Sequence, residues 1–167
     1  MAQATRLRSF TFRTIPSERD TLELNYLHLA RLAEAASNLQ SITVVNLSMK
    51  SQLPDDAQFP EMGQLKSLIL HDVDFGDAVL KTILRSTPKL EELQVGFILF
   101  GSYTDTGFAE ALSYVSNTLV SLRIQRVGRR SHVEGYELET LLPKFTRLRS
   151  FTYLQKQWDS PMFYGPS

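Results

Sequence analysis

The chain contains no cysteine among its 167 residues. That absence removes disulfide frameworks, thiol catalysis and thiolate-ligated zinc together. Glycine and proline number only 8 and 7, so neither a collagen-like nor a linker-dominated chain fits. Charge of one sign is also missing: 18 Lys plus Arg balance 18 Asp plus Glu. A balanced chain exerts no overall attraction on nucleic acid or on an anionic membrane. No apolar run approaches the ~20 residues of a membrane span. The opening stretch, MAQATRLRSFTFRTIPSERD, lacks the apolar centre of a signal peptide. The expectation is an intracellular protein of cytoplasm or nucleus. The sequon Asn46-Leu47-Ser48 does not change it, because Leu47 occupies an inward position of the pattern described next.

Apolar residues make up 43 % of the chain and charged residues 22 %, a composition that folds into one domain with a real core. Within it a six-residue pattern, L-x-x-φ-x-φ with φ apolar, occurs six times. The copies are LRSFTF from Leu7, LQSITV from Leu39, LKSLIL from Leu65, LEELQV from Leu90, LVSLRI from Leu119 and LRSFTY from Leu148. Their starts are separated by 32, 26, 25, 29 and 29 residues. Self-similarity at such a period marks a stacked-repeat architecture. The closing φ-x-φ alternates with period two, as a half-buried strand does. Strands are expected near 7–13, 39–45, 65–71, 90–96, 119–125 and 148–154.

A further apolar residue follows three positions after each of the first five copies: Ile15, Leu47, Val73, Ile98 and Val127. The sixth copy has Lys156 there, which suggests that the array ends with it. Helical spacing fills most of the intervals. Leu24, Leu27, Ala30 or Arg31, and Ala35 define a helix within 21–37. Leu80, Ile83 and Leu84 follow Asp77; Phe108, Leu112 and Val115 follow Asp105; Leu138, Leu141 and Leu142 follow Gly135. Asp77 and Asp105 have the chemistry of N-caps, and Pro88 and Pro143 sit near helix ends. The interval SQLPDDAQFPEMGQ, with two prolines and a glycine, reads as a loop or one short helical turn. Two adjacent repeats share φ-x-Phe-Gly at one offset: Val73, Phe75, Gly76 and Ile98, Phe100, Gly101.

A single strand–helix unit cannot bury its apolar face, so the units must stack in parallel, with right-handed crossovers. The copies resemble leucine-rich repeats over about Leu7 to Tyr153. Their length and helical intervals are most similar to the ribonuclease-inhibitor-like subclass and to the arrays of fungal F-box proteins. The resemblance implies an α/β, right-handed solenoid of about six repeats, with a parallel sheet on the concave face and helices on the convex face. It implies a single domain, 1–167, in which 155–167 form a C-terminal cap or tail. The family often places Asn or Cys shortly after the third apolar position; here Ile, Leu or Val stands there.

In such an array the alternate strand side chains face outward. The candidate partner-binding residues are Thr11, Arg13, Thr43, Val45, Ile69, His71, Gln94, Arg123, Gln125 and Thr152. Ser9, Ser41, Ser67, Ser121 and Ser150 start five of the six outward sets, and a small polar residue suits a curved inner surface. Parallel strands lie ~4.8 Å apart, so six span roughly 24 Å; three outward residues on each of six strands make 18, just short of a standard protein footprint of about 20–30 residues a side. Either loops contribute or the chain belongs to a longer array or a multi-protein complex. At the start, Leu7, Phe10 and Phe12 have little sequence before them to act as a cap, which predicts an exposed apolar edge. At the end, Trp158, Met162, Phe163 and Tyr164 could form a lid over the sixth repeat or part of a free tail.

Arg126, Arg129 and Arg130, with Arg123 and His132 nearby, form a basic loop. It reads first as solvated surface. The alternatives are a site for an acidic partner, a GTPase-regulating site or a nucleic-acid contact, although no aromatic residues interleave with it as single-strand binding would favour. Asp72, Asp74 and Asp77 beside His71 lack the spacing of a calcium loop. His28, His71 and His132 are far apart and have no recurring partner. Phosphate-loop, G-x-S-x-G and H-E-x-x-H motifs are absent. No enzymatic activity, metal or cofactor is expected. The expected partner is another protein rather than nucleic acid or membrane. The resemblance implies substrate recognition within an F-box-type ubiquitin ligase receptor, although this sequence contains no recognisable F-box.

Overall fold

Six strands run parallel in one sheet, in the order in which they occur along the chain. The structure is a computed structural model and describes residues 6–13, 26–48, 59–74, 77–98, 105–128 and 140–157. The strands are β1 (Ser9–Arg13), β2 (Ser41–Ser48), β3 (Ser67–Asp74), β4 (Glu92–Ile98), β5 (Ser121–Gly128) and β6 (Ser150–Gln157). Among the described residues three α-helices connect them: α1 (Tyr26–Ala35), α2 (Asp77–Arg85) and α3 (Asp105–Ser113). The result is an α/β fold with a single all-parallel sheet.

The register sets like positions side by side. Ser9 pairs with Ser41, Ser41 with Ser67, Ser67 with Glu92, Glu92 with Ser121 and Ser121 with Ser150. The six hexapeptide copies therefore stack in register, as period-two alternation over a common core requires. The ladder slips once, between Leu70 and Val73, so Val73 pairs with Phe97 rather than with Ile98.

Every strand starts two residues later than the repeat pattern suggests. The repeat leucine belongs to the turn before it. Leu39, Leu65 and Leu90 donate their N–H groups to the carbonyls of Ala36, Met62 and Thr87, and Leu119 donates to Val115. Those donors are therefore committed before the ladder begins. The residue after each leucine then forms a recurring clasp. The Arg8 carbonyl accepts from the N–H groups of Gln40 and Ser41 at 2.7 and 3.0 Å. The Gln40 carbonyl accepts in the same way from Lys66 and Ser67, Lys66 from Glu91 and Glu92, Glu91 from Val120 and Ser121, and Val120 from Arg149 and Ser150.

Burial follows the repeat. The leading leucines Leu39, Leu65, Leu90 and Leu119 are buried, and Leu7 and Leu148 at the two ends are half-buried. The next two inward rows are Ile42, Leu68, Leu93, Leu122 and Val44, Leu70, Val95, Ile124, all buried. Against them lie Leu29, Ala30 and Ala33 of α1, Val79, Leu80, Ile83 and Leu84 of α2, and Phe108, Ala111 and Leu112 of α3, in one continuous cluster. The α2 and α3 residues recur at the three- and four-residue steps of an apolar helix face. On α1 the face differs from expectation. Ala30 is buried as the spacing expects, but Arg31 is exposed and Ala35 only half-buried, while Leu29 and Ala33 carry the rest of the packing. Leu24 lies outside the described residues.

Three other expectations are refined. Asp77 and Asp105 are the first residues of their helices, and the Asp77 carboxylate rests against Gly107 of α3. The Leu138–Leu142 interval is described only from Thr140, and there Leu142–Lys144 form a 3-10 turn containing Pro143. The segment 59–64, which contains Pro60, carries no helix, yet Phe59 and Met62 are buried in the core. Ser86 fastens that segment to α2: its hydroxyl donates to the Phe59 carbonyl at 3.0 Å, and its carbonyl accepts from Met62 N–H at 2.8 Å. Phe75, Gly76, Phe100 and Gly101 lie outside the described residues.

Candidate partner-binding surface

Strand alternation sends one row of each strand into the core and the next to the opposite face. Three outward rows result, and the pairing of each residue fixes its place in them. The first contains Ser9, Ser41, Ser67, Glu92, Ser121 and Ser150; the second Thr11, Thr43, Ile69, Gln94, Arg123 and Thr152. The third holds Arg13, Val45, His71, Gly96, Gln125 and Leu154, with His71 displaced by the register slip. All ten strand residues singled out from the sequence lie in the second and third rows.

Apart from Gly96, every side chain in these rows is at least partly exposed. Thr11, Arg13 and Arg123 are exposed; Thr43, Val45, Ile69, His71, Gln94, Gln125 and Thr152 are half-buried, as neighbours on a close-set sheet must be. Among the described residues, no helix contributes to this face. Two cross-strand contacts order it. The Ser67 hydroxyl donates to Glu92 Oε2 at 2.7 Å, which gives the one acidic member of the serine row a partner. Gln94 Nε2 lies 3.2 Å from His71 Nε2 and donates to it when that nitrogen is unprotonated. At the rim of the sheet, the Lys66 ammonium and Glu91 carboxylate pair at 3.5 Å, both well exposed.

The surface offers hydroxyls, amides and an imidazole around apolar Val45 and Ile69, with arginines at Arg13 and Arg123. Two concavities among the described residues lie away from it: a groove of about 570 Å³ between α2 and segment 59–61, and one of about 380 Å³ beside Thr146–Arg149. Arg126 is a residue of β5, whereas Arg129, Arg130 and His132 lie outside the described residues. No three His, Asp or Glu side chains converge among the described residues. Asp77, grouped by sequence with Asp72 and Asp74, serves the contact between α2 and α3 instead.

Sequence reasoning missed the Gln94–His71 pair and the Ser67–Glu92 pair. Both join residues 23 to 25 positions apart, and only the register reveals them. No protein-family model, curated protein or solved structure matches this chain. No helix among the described residues is long and apolar enough to cross a membrane.

Proposed function

We propose that the chain is a protein-binding array: a right-handed leucine-rich-repeat solenoid that presents the outward face of its sheet to a partner and catalyses nothing itself. The observation that supports this reading is a sheet face that no helix among the described residues covers, with rows of side chains held in register over six strands. Hydrogen-bonding groups interspersed with apolar ones and sparse charge suit a protein surface better than a phosphate backbone. A narrower proposal is substrate recognition for an F-box-type ubiquitin ligase. Its support is the irregular repeat spacing of 25 to 32 residues. In that role the F-box belongs to another stretch or another chain, and this chain alone does not bind the ligase adaptor.

The test begins with affinity purification from the source cells, mass spectrometry, and titration of the purified partner. Replacing Thr43, Gln94 and Arg123 together by Ala is expected to weaken that complex at least tenfold, or about 1.4 kcal/mol. The melting temperature should stay within about 2 °C, because none of the three is a core residue. A control variant with Arg31→Ala and Glu34→Ala, both exposed on α1, should bind normally. Undiminished affinity in the triple variant, or a large loss of its stability, refutes the reading.

A further inference from the structure

The two side edges of the sheet end differently. At β1, Phe10 and Phe12 are half-buried, whereas at β6 Phe151 and Tyr153 are 39 % and 38 % exposed. Trp158, Met162, Phe163 and Tyr164, which follow β6 in sequence, lie outside the described residues. The rim formed by the strand starts is better defined. The segments that lead into the six strands, 6–8, 36–40, 59–66, 86–91, 114–120 and 142–149, are all described. Their spacing is held by backbone bonds, because the residue after each of the first five repeat leucines accepts from the start of the next strand.

Charge is concentrated on this rim. Its segments contain seven cations and only two carboxylates, Glu61 and Glu91. Arg6 and Arg8 stand before β1, Lys66 and Lys89 before β3 and β4, and Lys144, Arg147 and Arg149 before β6. All seven are exposed. The net charge of zero therefore divides into a basic rim and an acidic remainder. Lys66 pairs with Glu91, and the other six cations make no ion pair among the described residues. Strands ~4.8 Å apart put successive groups of cations roughly 5–10 Å apart. That is close to the Debye length of about 8 Å at physiological salt, so their fields reinforce one another. Beside β6 the charge borders a concavity of about 380 Å³, lined by Thr146, Arg147 and Arg149 with Val120 and Leu148.

We propose that the rim binds an acidic segment of another protein, laid across the strand starts. One group of carboxylates sits in the concavity at Arg147 and Arg149, where guanidinium groups can hold them in paired hydrogen bonds. A second group meets Arg6 and Arg8, about 24 Å away, the length of seven or eight extended residues. A phosphate backbone fits less well. Its charges recur every ~3.4 Å along a strand and cannot skip Glu61 and Glu91, whereas a peptide can place neutral residues there. Tyr114 is the one exposed aromatic residue in these segments, so successive bases have no stacking platform. No large aliphatic side chain is exposed there for insertion into a bilayer. The site is separate from the outward face of the sheet and does not rest on the reading of that face.

The probe is a fluorescent eight-residue peptide with two glutamates at each end and serines between. Its anisotropy should rise on titration with the full chain at low salt and rise less as salt is added. Arg147→Gln with Arg149→Gln should weaken binding about fivefold, and Arg6→Gln with Arg8→Gln by a similar factor. The Tm should stay within about 2 °C, since all four arginines are exposed. Arg31→Gln with Lys156→Gln removes the same charge away from the rim and should leave affinity unchanged. Absence of binding at low salt, full affinity in either arginine pair variant, or an equal loss in the control overturns the proposal. Tighter, rim-dependent binding of a DNA duplex or of phosphatidylserine vesicles overturns it too, by assigning the rim to phosphates.

Discussion

Leu93 sits at the centre of the sheet, 0 % exposed, between Leu68 and Leu122. Leu93→Ala is expected to cost about 2–5 kcal/mol, because neighbours anchored in two flanking strands cannot collapse into the void. Urea denaturation measures it. Gly107 is a sharper case. Glycine inside a helix costs roughly 1 kcal/mol relative to alanine, so Gly107→Ala on α3 should stabilise an isolated helix. Here an added Cβ would stand 2.6 Å from the Asp77 Cγ and 2.7 Å from its Cβ. Rotating the carboxylate cannot relieve contact with the Cβ, so α2 and α3 must separate. The substitution should therefore destabilise by about 1–3 kcal/mol, the range of an overpacked site. A rise in the urea midpoint would show that the two helices can part without loss. Residues of the first kind are readable in sequence, since Leu93 repeats a pattern. Gly107 is not, because its reason lies 30 positions away in another helix.

Between elements, α2 and α3 are joined at the surface by the Lys81 ammonium and the Glu110 carboxylate. The hydrogen bond that the Lys81 ammonium donates to the Glu110 carboxylate raises the Lys81 pKa above its ordinary 10.5. A raised lysine pKa means that the folded chain holds the proton more tightly. The stabilisation is thus complete below pH 10.5 and disappears as pH climbs through the raised value. Glu110→Gln should lower the Tm slightly at neutral pH, and the gap from the parent chain should close in strongly alkaline solution. A gap that stays constant with pH, or is unchanged by high salt, would point to packing instead. The strand starts were legible to within two residues and the strand ends to within three. The offset arises because each leucine N–H is committed to the preceding turn, a detail that apolar periodicity does not encode. The α2 and α3 faces were equally legible from Leu80, Ile83, Leu84, Phe108, Leu112 and Val115. α1 was less so, since alanines carry much of its contact and alanine is a weak signal of burial. The packing of Phe59 and Met62 was hidden by the prolines around them.

For the molecule as a whole, the sequence order of the strands means that each pairs only with its neighbours in the chain. Opening should therefore begin at the ends. Native-state hydrogen exchange is expected to be slowest for amides of β3 and β4 and fastest for those of β1 and β6. Uniform protection across all six would indicate one indivisible cooperative unit. The order and register of the sheet were legible because one short pattern recurs six times. The outward face followed from alternation alone. Its pairs, Gln94 with His71 and Ser67 with Glu92, were not, because they depend on which strands become neighbours and on the slip after Leu70.

The clasps made by the carbonyls of Arg8, Gln40, Lys66, Glu91 and Val120 have a consequence for how such a chain can change. Each fixes the start of the next strand by a local bond, whatever length of chain intervenes. Insertions and deletions in the connecting segments then leave alignment intact, and a reporter peptide placed within 51–58 should be tolerated while a single residue added between Leu65 and Ser67 should not.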